Sequence, residues 1–220
     1  MGKIQINELI DHTNLKPGAT KADIEKLCRE AMEYGFASVC INPCYVSLAE
    51  RLLRNSQTNI CTVIGFPLGA TTAETKNMEA SLAYSEGADE FDMVINVGAL
   101  KDGRIDYVLR DISGVMIAAK GRTVKLIIET GLLTEDEKVL ACQLATKAGV
   151  DFVKTCTGMT QGQATVEDIK LIKANVDSEM EIKASGGIKT YEQAMALIEA
   201  GATRIGTSSG VAIMKGSQLI

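Results

Sequence analysis

Two lysines, set alike in short apolar segments, carry the sharpest chemical signal in the chain. Lys154 lies in Asp151-Phe152-Val153-Lys154-Thr155-Cys156-Thr157-Gly158, and Lys183 in Glu181-Ile182-Lys183-Ala184-Ser185-Gly186-Gly187. Both segments read as strands followed by small residues. Burial disfavours an ammonium, and two of them at matching depth on neighbouring strands would each lower the other's pKa. Such an amine is nucleophilic near neutral pH and can form a Schiff base with a carbonyl. The blander reading is a strand-end lysine that snorkels to water, and Lys125, near the start of its own segment, fits it. Desolvating two lysines together is costly, so the pair points to function. Asp92, in "EFDMVINVG", is the natural partner. Period-2 alternation sets Asp92, Val94 and Asn96 on one face, and Phe91, Met93 and Ile95 on the other. Spacing alone leaves two roles open for Asp92, acid–base group or structural ion pair. Glu129, closing "KLIIE", carries the same two readings.

A second pattern suits an anion. The segments "ASGGIKT" and "IGTSSG" place Gly186, Gly187 and Ile188 near one strand end, and Gly206, Ser208 and Ser209 near another. Backbone N–H groups there, with a helix N-terminus, could cradle a phosphate. Gly158, in "TGMTQGQ", could add a third wall. No metal pattern accompanies these features. His12 is the single histidine, and none of the six cysteines shows C-x-x-C spacing, which reads as reduced, buried thiols.

Positioning these groups requires repeated strand–helix units. Strands are expected at Leu9–His12, Ala37–Ile41, Ile60–Gly65, Glu90–Asn96, Val124–Glu129, Phe152–Cys156, Glu181–Ser185 and Thr203–Gly206. Helical patterns fall between them at Lys21–Tyr34, Tyr45–Asn55, Thr72–Glu86, Tyr107–Ala119, Glu135–Ala148, Thr165–Asn175 and Tyr191–Ala200, with a short one after Ser209. Thr20 with Asp23, and Thr134 with Glu137, read as N-caps; Gly35, Gly87, Gly149 and Gly201 sit where left-handed C-caps belong. The phrases "EYGFASVCI", "SEGADEFDMVI", "KAGVDFVKTC" and "EAGATRIGTS" repeat one helix–Gly–strand turn. Eight such units in 220 residues suit a compact (β/α)8 TIM barrel, expected as a single domain over residues 1–220. A doubly wound sheet would want a G-x-G-x-x-G after its first strand, and "LIDHTNLKPGAT" has none. In a barrel the reacting groups belong at the C-terminal strand ends.

Composition removes other classes. A net charge of −5 with 4% aromatics and no Trp lacks the basic footprint and stacking platforms of a nucleic-acid binder. Residues Asn55–Ala73 are uncharged but too polar for a membrane span. Met1–Glu8 has no signal-peptide core, and Ile6 stands where a myristoylation signal wants Ser or Thr. A cytoplasmic protein is expected.

Together "LIDHTNLKPGAT", "VCINPCYV", "VIGFPLGATTAETK", "EFDMVINVGALKDG", "KLIIETGLL", "DFVKTCTGM", "IKASGGIKT" and "RIGTSSG" resemble the deoxyribose-phosphate aldolases, in order from Leu9 to Ala212. The resemblance implies a class I, metal-free and cofactor-free aldolase on a (β/α)8 barrel. It would cleave 2-deoxy-D-ribose 5-phosphate to D-glyceraldehyde 3-phosphate and acetaldehyde. Lys154 then matches the Schiff-base lysine, Lys183 the lysine that tunes it, and Asp92 the acid–base aspartate. Partners would be phosphosugar and aldehyde substrates and further copies of the chain, as a dimer or tetramer. The chain departs from the family at Asn14 (Leu usual), Cys156 (Ser common) and Met159 (Lys or Phe usual), and its tail, Lys215–Ile220, lacks a Tyr. The rival readings are a phosphosugar isomerase with Glu129 as base, and a catalytically silent phosphosugar binder.

Overall fold

The computed structural model describes residues 5–160 and 162–217. The expectations that rest on Met1, Gly2, Lys3 and Ile4, on Gln161, and on Gln218, Leu219 and Ile220 lie outside the described residues. The strands are β1 (Ile10–Asn14), β2 (Ser38–Ile41), β3 (Asn59–Ile64), β4 (Glu90–Val94), β5 (Thr123–Ile127), β6 (Phe152–Lys154), β7 (Glu181–Ser185) and β8 (Arg204–Thr207). Each pairs parallel with the next, and β8 returns to β1 to close the barrel. The helices are α1 (Lys21–Tyr34), α2 (Val46–Leu53), α3 (Ala73–Glu86), α4 (Val97–Lys101), α5 (Ile105–Ala119), α6 (Glu135–Ala148), α7 (Val166–Asn175), α8 (Tyr191–Ala200) and α9 (Gly210–Ser217). None of them is long and apolar enough to cross a membrane.

Local chemistry explains most boundaries. Thr20 with Asp23 and Thr134 with Glu137 form complete capping boxes, and Thr190 with Gln193 makes another that the spacing had not suggested. Gly35, Gly87 and Gly149 end their helices in the left-handed region. Gly201 does not: its φ of 125° lies outside αL, and the Lys173 side chain passes 2.7 Å from where a Cβ would stand. Three expected strands, β4, β5 and β6, stop two residues early. β6 ends at Lys154 because the Thr155 hydroxyl, not a backbone carbonyl, accepts from Ser185 N–H (3.0 Å). β4 ends at Val94 because Asn96 turns away to cap α4, its Oδ1 accepting from Ala99 N–H (3.0 Å).

The register determines what the barrel encloses. Residues paired across parallel strands point the same way. Thus Val39, Ile41, Phe91, Met93, Val124, Leu126, Val153, Ile182 and Ile205 face the helices and form the main apolar core. The opposite parity sends Asp11, Glu90, Asp92, Lys125, Lys154, Lys183 and Arg204 into the lumen, where barrels usually stack branched apolar side chains. A small apolar cluster of Cys40, Cys61 and Val63, with Leu15, fills the β2–β3 side. Charge is therefore not confined to the C-terminal strand ends. Glu90 and Arg204 open their strands and pair across the bottom of the lumen at 3.2 Å.

Candidate active site

Asp92 is the hub of the lumen. Its Oδ2 accepts from both Lys154 Nζ and Lys183 Nζ, each at 2.7 Å, so one carboxylate oxygen holds the two amines side by side. Its Oδ1 accepts from Lys125 Nζ (3.1 Å) and Cys61 Sγ (3.1 Å). The register supplies this convergence, since Lys154 pairs with Lys183 and Asp92 with Lys125. Asp11 buttresses the group from β1, with Oδ2 against Lys183 and Oδ1 2.7 Å from Arg204. Lys125 is held by Glu90 as well. The expected snorkelling of Lys125 is thus corrected: it is fully buried, because its parity points it at Glu90 and Asp92 rather than at water.

Four lumen cations face three carboxylates, and that imbalance sets the direction of titration. Burial pushes the Asp92 carboxyl up, but Lys125, Lys154 and Lys183 outweigh it and hold the group well below the usual carboxylate range. Asp11 is likewise depressed, burial being overcome by Lys183, Arg204 and Lys125. The expectation that neighbouring lysines depress one another fails for Lys183. Burial does favour its neutral amine, yet Asp11 and Asp92 prevail and raise its pKa above the ordinary lysine value. Lys183 is a permanent ammonium clamped between two carboxylates. Lys154 meets only Asp92, on an oxygen it shares, and is the less tethered amine.

Above this network a cavity of about 530 Å³ opens at the C-terminal strand ends. Gly158, Gly186, Gly187, Ile188, Gly206 and Ser208 all line it. Gly186 and Gly187 both have positive φ (108° and 77°), so the loop turns in a way side-chain-bearing residues resist. Gly206 serves a different purpose: a Cβ there would stand 3.0 Å from Lys183 Cε, so its absence lets the lysine pass. Ser209 stands outside the cavity lining, and its N–H is donated to Thr207 Oγ1 (2.9 Å). Thr207, which sequence reasoning overlooked, also donates to Ile188 O (2.7 Å) and so ties the two glycine loops together. Lys16, Lys26 and Lys189 bring positive charge to the walls and Asp23 and Glu30 negative charge, Lys26 being paired with Glu30 at 3.7 Å.

Other candidates resolve into supporting roles. Glu129 is buried at φ 57°, accepting from Thr157 N–H (3.2 Å) and Thr160 Oγ1 (3.1 Å). It meets no cation and does not line the cavity, so it organises the loop after β6. His12 packs on Phe36 and meets Glu30 Oε2 at 2.9 Å, with burial lowering its pKa. Cys40, Cys61 and Asp92 bring donor atoms within 4.8 Å of one another, as do Asp11, Cys61 and Glu90. A dication there would have to displace ammonium groups from the same carboxylates, which opposes binding. Asp11 belongs to the polar strand ends that the sequence marks; Lys125, Cys61 and Thr207 are the residues that sequence reasoning left without a role in the site. Lys125 and Cys61 sit on strands at lumen parity, whereas Thr207 closes β8 with the opposite parity.

Two lumen lysines share one carboxylate oxygen below the glycine-lined cavity of a parallel (β/α)8 barrel. Residues 7–216 match the DeoC/LacD family aldolase, and the chain belongs to that family. It is 59% identical over 213 residues to a deoxyribose-phosphate aldolase of Streptococcus gordonii, covering 97% of each chain. It is also 59% identical over 219 residues to that of Thermococcus gammatolerans, covering 98% of this chain and 97% of the relative. Among solved structures, the deoxyribose phosphate aldolase of Aeropyrum pernix, described as tetrameric, superposes with a TM-score of 0.93 at 33% identity. That match covers 100% of this chain and 94% of the other.

Proposed function

We propose that the chain is a class I deoxyribose-phosphate aldolase, reversibly cleaving 2-deoxy-D-ribose 5-phosphate to D-glyceraldehyde 3-phosphate and acetaldehyde. The observation that carries this reading is the shared Asp92 Oδ2, which places the less tethered Lys154 beside a permanently cationic Lys183 at the foot of the cavity. Lys154 Nζ attacks the sugar's aldehyde carbon, and loss of water leaves an iminium. Asp92, working with Lys183 through a water, accepts the proton of the C3 hydroxyl. The C2–C3 bonding pair then flows into the iminium, giving an enamine and releasing glyceraldehyde 3-phosphate. Protonation at carbon and hydrolysis return acetaldehyde and free Lys154.

The 5-phosphate sits, in this reading, against Gly158, Gly186, Gly187, Ile188, Gly206 and Ser208, with the lysines of the walls attracting the dianion. The enzyme works in the cytoplasm without a cofactor, as a dimer or tetramer. Met78 and Leu82, exposed on α3, supply apolar surface for such an assembly. The test is reduction with borohydride in the presence of acetaldehyde, followed by peptide mapping. An ethyl group is expected on Lys154 alone and is lost in Lys154→Ala. Labelling at Lys183 or Lys125 would overturn the assignment.

A further inference from the structure

We propose that Cys40 and Cys61 form an oxidisable thiol pair, in which the Cys40 sulfur is oxidised by a hydroperoxide and Cys61 closes a disulfide beside Asp92. The carrying observation is the register: Cys40 and Cys61 are direct partners on neighbouring parallel strands, and both side chains face the lumen. Strands lie about 4.7–4.9 Å apart, inside the Cα separation of about 4.4–6.8 Å that a disulfide spans. Both sulfurs also reach Asp92, Cys61 Sγ at 3.1 Å from Oδ1 and Cys40 Sγ at 3.9 Å from Oδ2. Access rests on the aldolase reading proposed above: an opening that admits an aldehyde to Lys154, 2.7 Å from that same Oδ2, admits a smaller hydroperoxide.

The surroundings distinguish the two thiols. A hydrogen bond from Cys61 favours the Cys40 thiolate; burial opposes it, and Lys183 and Lys154 assist it. Burial, together with that same hydrogen bond, keeps the Cys61 thiol protonated. The Cys40 thiolate attacks one peroxide oxygen, the O–O bond breaks, and hydroxide leaves as water with a proton from the site. Cys61 sulfur then attacks the sulfenic acid, forming the S–S bond and releasing a second water, its thiol proton going with it. Two thiols lose two electrons and two protons; one hydroperoxide is reduced. The disulfide consumes the Cys61 thiol that lies 3.1 Å from Asp92 Oδ1 and ties β2 to β3 along one wall of the lumen. This step does not depend on which aldehyde the enzyme handles.

The exposed Cys44 is first replaced, Cys44→Ser, to leave the buried thiols. The protein is treated with stoichiometric hydrogen peroxide, then denatured, alkylated, digested and analysed by mass spectrometry. The expected result is a Cys40–Cys61 cross-linked peptide with the loss of two hydrogens, activity falling in proportion and returning with dithiothreitol. Cys40 and Cys61 both remaining open to alkylation while peroxide is consumed elsewhere would overturn the proposal. Phenylarsine oxide, which condenses with two adjacent thiols, gives a second readout on the unaltered pair: it should protect both cysteines from alkylation. Protection of neither would overturn the proposal equally.

Discussion

Asp92 pairs with three ammonium groups at once, so its single charge serves the fold as well as the proton transfer proposed for it. The alternation of β4 pointed it inward, and two roles were open; the geometry shows the ion pairs, and the acid–base role is the one proposed above. Asp92→Asn keeps the shape and removes the charge. Turnover should fall by roughly 10²–10⁴, the scale of a lost acid–base group. Stability should fall with it, because stranding a buried charge costs about 3–5 kcal/mol. Steady-state kinetics below the variant's unfolding range, beside denaturant titration, separate the two losses. Near-normal turnover in a destabilised variant would leave Asp92 as a structural counter-ion only. Lys125 shows the limit of reading one residue at a time. Its place near a strand start suggested snorkelling, and only the register with Asp92 shows that it points at carboxylates.

At the scale of elements, the helix–glycine–strand repeat made the barrel legible, because turn chemistry is local and each unit writes it anew. The short α4 and the early ends of β4 and β6 were not legible, since they depend on Asn96 and Thr155 replacing backbone partners by side-chain ones. The glycine loops follow the same division: their lining was readable, their tie through Thr207 was not. That tie sets an order of effects on phosphate binding. Ser208→Ala removes one neutral hydrogen bond, about 0.5–1.5 kcal/mol, and should raise KM for the 5-phosphate less than about tenfold. Thr207→Val removes the bond to Ile188 O and the acceptor for Ser209 N–H together, and should raise KM more. Gly187→Val should do most, because its φ of 77° is strained for a β-branched residue and a Cβ would meet Gln163 at 3.1 Å. Deoxyribose without phosphate should feel Ser208→Ala hardly at all. Equal KM effects on both sugars would remove the phosphate from these loops.

For the whole molecule, the charged lumen makes stability a function of pH through identifiable groups. Asp11 and Asp92 have depressed pKa values in the fold, so their contribution is present above the ordinary carboxylate range and is lost as pH falls below it. Lys183 is raised, so its contribution is complete below the ordinary lysine range and is lost only as pH climbs through its elevated native value. Between those limits the network contributes a constant amount. Acid, not mild alkali, is therefore the direction in which the lumen fails, and Asp11→Asn isolates one part of it. Asp11 joins Lys183 to Arg204, linking β1 to β7 and β8 where the barrel closes. At neutral pH the variant should be less stable than the parent by several kcal/mol, the scale of a broken buried pair. Below about pH 4, as carboxylates of the unfolded chain take up protons, that gap should narrow steadily. Urea titrations of both proteins from pH 7 down to about pH 3 measure it, the lower end being set by the ordinary carboxylate range. A gap that stays constant over that range would mean that Asp11 stabilises the closure by packing, and that its charge contributes nothing.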